Sequence, residues 1–283
     1  MIPILRAPVS LCAVFFLVGC GGGSPTPPPE QTPAPSAPPA ERVRLLAFVG
    51  AASKPPATEA KEVFEKANPD LVVDMTFGGS GTILNQMMLE QTGDIYMPGS
   101  NDYMDKAEAK KAVLPETRRI VAYLVPMICV RRGNPKHIHS LADLARPGVT
   151  VGLAEAGAVC LGDASDFILR KAGLEKQVKQ NVITYAKSCD QTQQLIQLGE
   201  VDAVIGWDAF KAWSPNEIDV VPIPELQPPV YNIPAAVAVY SKHRAEAERF
   251  IAFLTSDEGK AIFAKHGYCV TMPEPRREPA PGK

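Results

Sequence analysis

Runs of β-branched and apolar residues alternate with amphipathic runs along most of this 283-residue chain, and this alternation restricts the fold more than any other feature. The first cycle is typical of a strand over residues 43–49, a helix over 56–67 and a second strand over 71–77. Strands that are separated by helices favour βαβ units with parallel strands. The sequence therefore predicts an α/β fold.

The same pattern returns in the second half of the chain. Strands are predicted at 149–153, 182–185 and 203–207, with helices at 163–172 and 190–198 between them, and two amphipathic helices at 244–255 and 256–266 complete the pattern. An extended stretch at 119–131 precedes this second set, and another at 230–241 follows it. We interpret both stretches as crossings between two lobes, which predicts a bilobal clamp that closes on a ligand in the cleft between its lobes.

These crossings divide the chain. Lobe I is predicted to comprise residues 43–123 and 234–272, and lobe II residues 124–233, so that two α/β lobes are joined by a two-crossing hinge. The tail at 273–283 is rich in charged residues and proline and is predicted to be disordered.

The N-terminal residues resemble a bacterial lipoprotein signal. Arg6 precedes an apolar run over 11–18 that ends at Cys20, and this run is too short to span a bilayer permanently. We expect residues 1–19 to be removed and Cys20 to carry lipid, which anchors the protein on the periplasmic or outer face of a bacterial membrane. Residues 20–42 contain many prolines and few apolar side chains, which predicts an extended linker.

The stretch TFGGSGTIL, residues 76–84, joins a predicted strand to a predicted helix through three glycines. Such a corner exposes main-chain N–H groups at a helix N-terminus, where the helix dipole favours an anion. It lacks the Lys-Ser/Thr ending of a nucleotide-binding loop, so a small free anion fits better than a nucleotide. The alternative is a tight turn in which Ser80 caps the helix.

The net charge and the arrangement of residues argue against several other functions. The formal net charge is −2, and no basic patch alternates with aromatic residues, so nucleic acid is not an expected partner. No nucleophile and base are arranged for catalysis, so we expect neither enzymatic activity nor a cofactor. The chain is expected to be monomeric.

Five motifs, GAASKPP, GGSGT, NDYMDKA, LGEVDAVIGWDA and FLTSDEGKAIFAKHGY, follow one another at intervals along the chain. Their order and spacing resemble those of the periplasmic molybdate-binding and tungstate-binding proteins of ABC importers. The resemblance implies the bilobal periplasmic-binding-protein fold. It also implies capture of a small oxyanion and its delivery to an ABC permease in the inner membrane.

The resemblance also implies a set of ligand-binding residues: Ser53, Ser80, Gly81, Cys160, Leu161, Cys189 and Trp207. Two of them, Ser53 and Ser80, correspond to the hydroxyl donors of the family, each at the start of a helix. Trp207 stands where the family commonly has tyrosine, and its indole can donate but not accept a hydrogen bond. Neutral donors and helix dipoles can together hold a tetrahedral dianion without an arginine.

Cys160 and Cys189 stand where the family usually has proline, alanine or valine, and three states remain open for them. They are buried apolar side chains, a disulfide, or thiolate ligands of a soft metal. The last state supports an alternative function, a thiol-based receptor for a soft metal or a metalloid oxyanion such as arsenite, for uptake or for signalling to a sensor kinase. Cys129 and Cys269 are the other two cysteines of the globular body.

Overall fold

The computed structural model describes residues 42–223 and 230–273. The predicted signal peptide, the lipidation of Cys20, the linker up to residue 41 and the tail from residue 274 all lie outside the described residues.

Ten strands and nine α-helices lie within the described residues. The strands are β1 (Val43–Gly50), β2 (Leu71–Gly78), β3 (Ile95–Met97), β4 (Arg119–Leu124), β5 (Pro126–Arg131), β6 (Val151–Ala154), β7 (Val182–Ala186), β8 (Ala203–Trp207), β9 (Ile218–Val221) and β10 (Tyr231–Val237). The helices are α1 (Lys54–Ala67), α2 (Ser80–Glu90), α3 (Asn101–Ala109), α4 (Cys160–Lys171), α5 (Glu175–Lys179), α6 (Cys189–Gln197), α7 (Phe210–Trp213), α8 (Arg244–Thr255) and α9 (Asp257–Lys265).

The strands form two five-stranded sheets, ordered β2-β1-β3-β10-β4 and β7-β6-β8-β5-β9. In the first sheet, β1 is parallel to β2 and β3. In the second, β6 is parallel to β7 and β8. Each parallel set is covered by the helices that connect its strands, which confirms the predicted bilobal α/β fold.

Apolar spacing explains how the helices attach to the sheets. α1 begins with two prolines in its first turn, where their missing N–H groups leave no carbonyl unpaired. It buries Pro56, Ala57, Ala60 and Phe64, which share one face of a helix with 3.6 residues per turn. The Phe64 ring meets Phe250 of α8 edge to face, with centroids 4.9 Å apart. The first lobe is therefore built from both ends of the described chain.

The hinge consists of paired strands. The stretch predicted as one crossing at 119–131 is two strands, because the chain leaves the first sheet at Val125 and enters the second at Pro126, which has no N–H to continue the first ladder. β4 pairs antiparallel with β10, and Tyr123 N–H also donates to the carbonyl of Cys269 at 2.7 Å. The predicted lobe division placed residues 231–233 in lobe II, whereas β10 belongs to the first sheet from Tyr231 onward.

Three helices of the site begin earlier than predicted. α1 begins at Lys54 rather than residue 56, α4 at Cys160 rather than 163, and α6 at Cys189 rather than 190. Four further elements, α3, α5, α7 and β9, were not predicted from the sequence. In the part of the chain that the structure describes, no helix has the length and apolarity needed to cross a bilayer.

Candidate functional site

Three loops of the first lobe emerge at the same edge of its sheet. Gly50 and Gly78, the last residues of β1 and β2, are direct partners in the parallel ladder. Ser53 follows the first strand and Ser80 the second, so the ladder brings the two predicted hydroxyl donors to one edge. The loop after β3 carries Ser100 to that edge as well, immediately before α3. Ligands of open α/β sheets bind at such carboxyl ends.

The second lobe presents a matching edge. Its parallel strands β6, β7 and β8 end at Ala154, Ala186 and Trp207. Cys160 begins the helix after the first of these strands and Cys189 the helix after the second. The N-termini of α1, α2 and α3 therefore come from one lobe, and those of α4 and α6 from the other. Each contributes partial positive charge to the cleft.

The two edges are in direct contact, so the structure is a closed clamp. Gly81 N–H donates to the carbonyl of Ala158 at 2.9 Å. The Tyr103 hydroxyl donates to Asp163 at 2.9 Å. An exposed ion pair, Lys54 with Asp190 at 3.3 Å, lies at the rim. Gly81, predicted as a ligand donor, has its N–H engaged by the opposite lobe in this closed form.

The glycines of the corner at 76–84 allow this close approach. A Cβ on Gly79 would lie 2.6 Å from the Ala158 oxygen and 3.0 Å from the Lys187 oxygen, both in the second lobe. A Cβ on Gly81 would lie 2.8 Å from the Gly157 oxygen. Side chains at these two positions would therefore hold the lobes apart.

Ser80 and Cys160 meet across the cleft. Ser80 is almost fully buried, and its Oγ accepts a hydrogen bond from Gly99 N–H at 3.0 Å. The Cys160 sulfur lies so close to this loop that a Cβ on Gly99 would approach it to 2.6 Å. Leu161 is fully buried, and its main-chain N–H lies in the first turn of α4, where it has no intrahelical acceptor.

The thiols of Cys160 and Cys189 interact with each other, and all four described cysteines are free. A hydrogen bond with Cys189 lowers the pKa of the Cys160 thiol, and hydrogen bonds from the Ser80 hydroxyl and the Leu161 N–H lower it further, against the effect of burial. The same thiol contact and burial raise the pKa of Cys189 well above its usual value. Negative charge in the pair is therefore favoured on Cys160.

Trp207 is fully buried beside this pair. Its Nε1–H is directed toward Cys189, which opposes part of the rise in the pKa of that thiol, but it makes no hydrogen bond of regular geometry with any described residue. The indole packs edge to face against Tyr231, with centroids 5.3 Å apart. Burial also raises the pKa of Tyr231 to about 12.

Three buried polar groups on the loops and strand ends of the two edges have no hydrogen-bond partner among the described residues: Ser53 Oγ, Ser100 Oγ and Trp207 Nε1. Ser100 was not among the predicted site residues. Its position between the apolar run of β3 and the NDYMDKA motif was the signal that could have found it. No group of three or more histidine, cysteine or acidic residues that could hold a metal occurs within residues 42–223 and 230–273. The predicted pair of thiols therefore stands without a third ligand of these types.

Comparisons with known proteins identify the family of this chain. The family model described as bacterial extracellular solute-binding protein matches residues 45–269. The molybdate-binding protein ModA of Mycobacterium tuberculosis is 28% identical over 261 residues, which cover 92% of this chain and 95% of that protein. A sulfate-binding protein of Synechococcus elongatus is 25% identical over 234 residues, covering 74% of this chain and 67% of that protein.

Among solved structures, the periplasmic molybdate-binding protein of Azotobacter vinelandii aligns with a TM-score of 0.70 at 16% identity, covering 81% of this chain and all of that one. This likeness concerns the fold, and the family match spans both lobes and the hinge. The resemblance read from the five motifs is thereby confirmed. The chain belongs to the bacterial extracellular solute-binding protein family.

Proposed function

We propose that this protein captures a small tetrahedral oxyanion, molybdate or tungstate, in the cleft between its lobes and delivers it to the permease of an ABC importer. The observation that carries the proposal is the pair of buried donors without partners on opposite lobes, Ser53 Oγ and Trp207 Nε1. A buried donor left unpaired costs about 1–3 kcal/mol, so a bound acceptor would recover that energy.

The charge of the cleft supports a fully ionised oxyanion. Two lysines at its rim, Lys54 and Lys106, pair there with Asp190 and Asp163. Within the cleft the available groups are hydroxyls, an indole N–H and main-chain N–H groups at helix N-termini. Such a set stabilises negative charge through many short hydrogen bonds and helix dipoles rather than through an ion pair.

The ligands named for the relatives limit the candidate anions for this protein. The molybdate-binding relative covers nearly the whole chain, and it supports molybdate as the first candidate. The sulfate-binding relative makes sulfate the main competitor, since both anions are tetrahedral and doubly charged. Trp207 in place of the tyrosine common in the molybdate-binding family removes one hydroxyl from the set.

The lipid anchor and the ABC permease as partner are parts of the same proposal. A lipid on Cys20 would hold the protein on the outer side of the membrane, where a carrier must meet its permease. A relative in Bacillus subtilis is described as a putative substrate-binding lipoprotein of an ABC transporter, which supports both parts. Metabolic labelling with a fatty acid, compared between wild type and Cys20→Ser, tests the anchor.

The alternative function, a receptor for arsenite or a soft metal, has one observation in its favour, the contact between Cys160 and Cys189. Pyramidal arsenite binds three sulfurs. Of the two remaining cysteines, Cys129 lies fully buried in β5, with its sulfur 3.7 Å from the Trp207 carbonyl oxygen, and Cys269 lies at the hinge. The pair therefore supplies two thiols, and oxyanion capture is the function that the cleft supports best.

Calorimetric titration of the mature protein with molybdate, tungstate, sulfate, phosphate and arsenite tests the proposal. A ligand at a hundred times its dissociation constant should also raise the free energy of unfolding by about 2.7 kcal/mol. Ser53→Ala should weaken molybdate binding by about 1–3 kcal/mol, because it removes an unpaired donor. Ser214→Ala is the matched control, since Ser214 is equally buried but already bonded to Gln193 at 2.6 Å. If the protein binds arsenite but none of molybdate, tungstate, sulfate and phosphate, the proposed capture of a tetrahedral oxyanion is refuted.

A further inference from the structure

We propose that Arg118 is a positioning residue for ligand capture: its guanidinium group holds helix α3 in the orientation in which this helix contacts the opposite lobe. The inference rests on the proposed function, because closure of the two lobes on an oxyanion is the step that Arg118 serves.

The guanidinium group of Arg118 binds three side chains of α3. Its Nη1 donates to the Asp105 carboxylate at 2.7 Å and to the Glu108 carboxylate at 2.9 Å, and its Nη2 donates to the Asn101 amide oxygen at 2.6 Å. These partners follow one another at intervals of four and three residues, so they share one face of the helix. Among residues 42–223 and 230–273, the Arg118 side chain forms hydrogen bonds with α3 alone.

The opposite face of α3 contacts the second lobe. At about 100° per residue, Tyr103 and Lys106 lie roughly half a turn around the helix from the partners of Arg118. The Tyr103 hydroxyl donates to Asp163 at 2.9 Å, and the Lys106 ammonium lies 3.7 Å from the same carboxylate and 4.0 Å from the centre of the Tyr103 ring. The other Asp163 oxygen accepts a hydrogen bond from Gly157 N–H at 2.7 Å, which fixes the carboxylate. A shift or rotation of α3 would therefore break these contacts between the lobes.

Packing alone attaches α3 weakly to its own lobe. The helix has nine residues and buries only Tyr103, Met104 and Ala107. A helix of this length is marginal in isolation, so its orientation depends on its attachment to the rest of the lobe. The Arg118 side chain is 22% exposed, so its bonds to α3 are partly shielded from water. Two of these three bonds join opposite charges, which are the stronger kind of hydrogen bond.

The main chain on both sides of Arg118 is anchored to the first sheet. Thr117 precedes it, and the buried Thr117 hydroxyl accepts a hydrogen bond from Val237 N–H of β10 at 2.9 Å. Arg119 follows it, begins β4 and pairs with Ala235 of β10. The pairing of β4 with β10 continues into the hinge. Arg118 therefore ties α3, and the contacts of α3 with the second lobe, to the strands that form the hinge.

The test measures molybdate affinity by calorimetry and the rate of molybdate release by stopped flow, for the mature wild type and for Arg118→Lys. This variant keeps the positive charge but loses the planar fork that binds three acceptors, so weaker long-range attraction of the anion cannot explain a loss. We expect about 3- to 10-fold weaker binding, mainly through faster release. Arg249→Lys is the matched control, because Arg249 pairs with Asp70 at 2.8 Å and does not contact α3, and it should keep wild-type affinity.

A double variant separates positioning of α3 from a general structural effect. Arg118→Lys combined with Tyr103→Phe should bind molybdate within about twofold of Tyr103→Phe alone, because the contact that Arg118 supports is already lost. The pair of Lys106 with Asp163 remains, but it is largely exposed and contributes little. Independent structural effects would instead give losses that multiply. Asn101→Ala removes one acceptor of the guanidinium group, keeps Arg118, and should weaken binding in the same direction.

Circular dichroism without ligand identifies the variants that fold, and affinities are compared among those. Wild-type affinity and release rate in Arg118→Lys, losses that multiply in the double variant, or a loss confined to the rate of association would overturn this inference and leave oxyanion capture standing. If Arg118→Lys does not fold, wild-type affinity of Asn101→Ala would overturn it as well. A wild-type protein that does not bind molybdate would overturn the proposed function and this inference together.

Discussion

Gly79→Ala should prevent complete closure of the clamp while leaving the first lobe intact. Gly79 has φ −61° and ψ 141°, an extended conformation that alanine adopts without strain. Its added methyl group would meet two main-chain oxygens of the opposite lobe, at 2.6 Å and 3.0 Å. These atoms cannot rotate away, so the second lobe must move back by several tenths of an ångström.

The loss of binding free energy in Gly79→Ala can be estimated from the contacts that join the lobes. The bond from Gly81 N–H to the Ala158 oxygen and the bond from Tyr103 to Asp163 would both lengthen from 2.9 Å. A neutral hydrogen bond contributes about 0.5–1.5 kcal/mol and one to a charged group about 1.5–3 kcal/mol. Losing half of each would cost about 1–2 kcal/mol, or roughly 5- to 30-fold in the dissociation constant.

Small-angle scattering with and without saturating molybdate, together with calorimetry, measures both effects. The variant should stay more open with ligand than the wild type, at an unchanged melting temperature without ligand. Gly78→Ala is the control, because its Cβ would meet only Ile83 of the same lobe, at 2.8 Å, so it should affect unfolding rather than closure. A Gly79→Ala protein that compacts fully and binds with wild-type affinity would refute the steric argument.

Three further predictions concern single side chains. Tyr103→Phe removes the hydroxyl bonded to Asp163 and should weaken ligand binding by about 1–3 kcal/mol through faster opening, which stopped-flow release kinetics would detect. Trp207→Phe removes the unpaired indole N–H and should weaken oxyanion binding by a similar amount, whereas an unchanged calorimetric affinity would exclude Trp207 from the site. The Asp143 carboxylate accepts a hydrogen bond from the His139 N–H at 2.8 Å, which is the largest cause of its lowered pKa, and another from the Ser140 N–H at 3.0 Å. Its stabilising contribution is present above 3.8, the ordinary pKa of the group, and lost as the pH falls through its folded value, so Asp143→Asn should flatten this part of the acid unfolding curve.

The pattern of apolar residues along the chain predicted the elements whose burial is regular. β8 and α8 have the predicted bounds, 203–207 and 244–255, because β8 is a short, uninterrupted buried run and α8 buries Ala247, Phe250, Ile251 and Leu254 at helical spacing. Ser256 caps α9, the second predicted C-terminal helix, because its Oγ accepts a hydrogen bond from Gly259 N–H at 3.2 Å. α3 escaped prediction because its sequence NDYMDKAEA is mostly polar and buries only Tyr103, Met104 and Ala107.

The site was less predictable than the fold, because its geometry depends on contacts between lobes. The family resemblance implied Ser53 and Ser80 as hydroxyl donors at the starts of two helices, and the structure brings them to one edge of the sheet. The sequence could not show that Gly81 N–H donates a hydrogen bond to the carbonyl of Ala158, a residue 77 positions further along the chain. The contact between Cys160 and Cys189 likewise arises from the pairing of β6 with β7, which no local pattern encodes.

The direction of β1 also determines how this protein can be attached to a sensor surface. The strand enters the sheet at Val43 and delivers the chain to the cleft at Gly50, so the entry point lies about 23 Å from the site at the usual strand rise of 3.3 Å per residue. A biotin or an affinity handle placed before Val43 would join the body at the far edge of the first sheet. Molecules immobilised in this way should present their clefts to the flowing solution, whereas coupling through Lys54 or Lys106 at the rim would obstruct them.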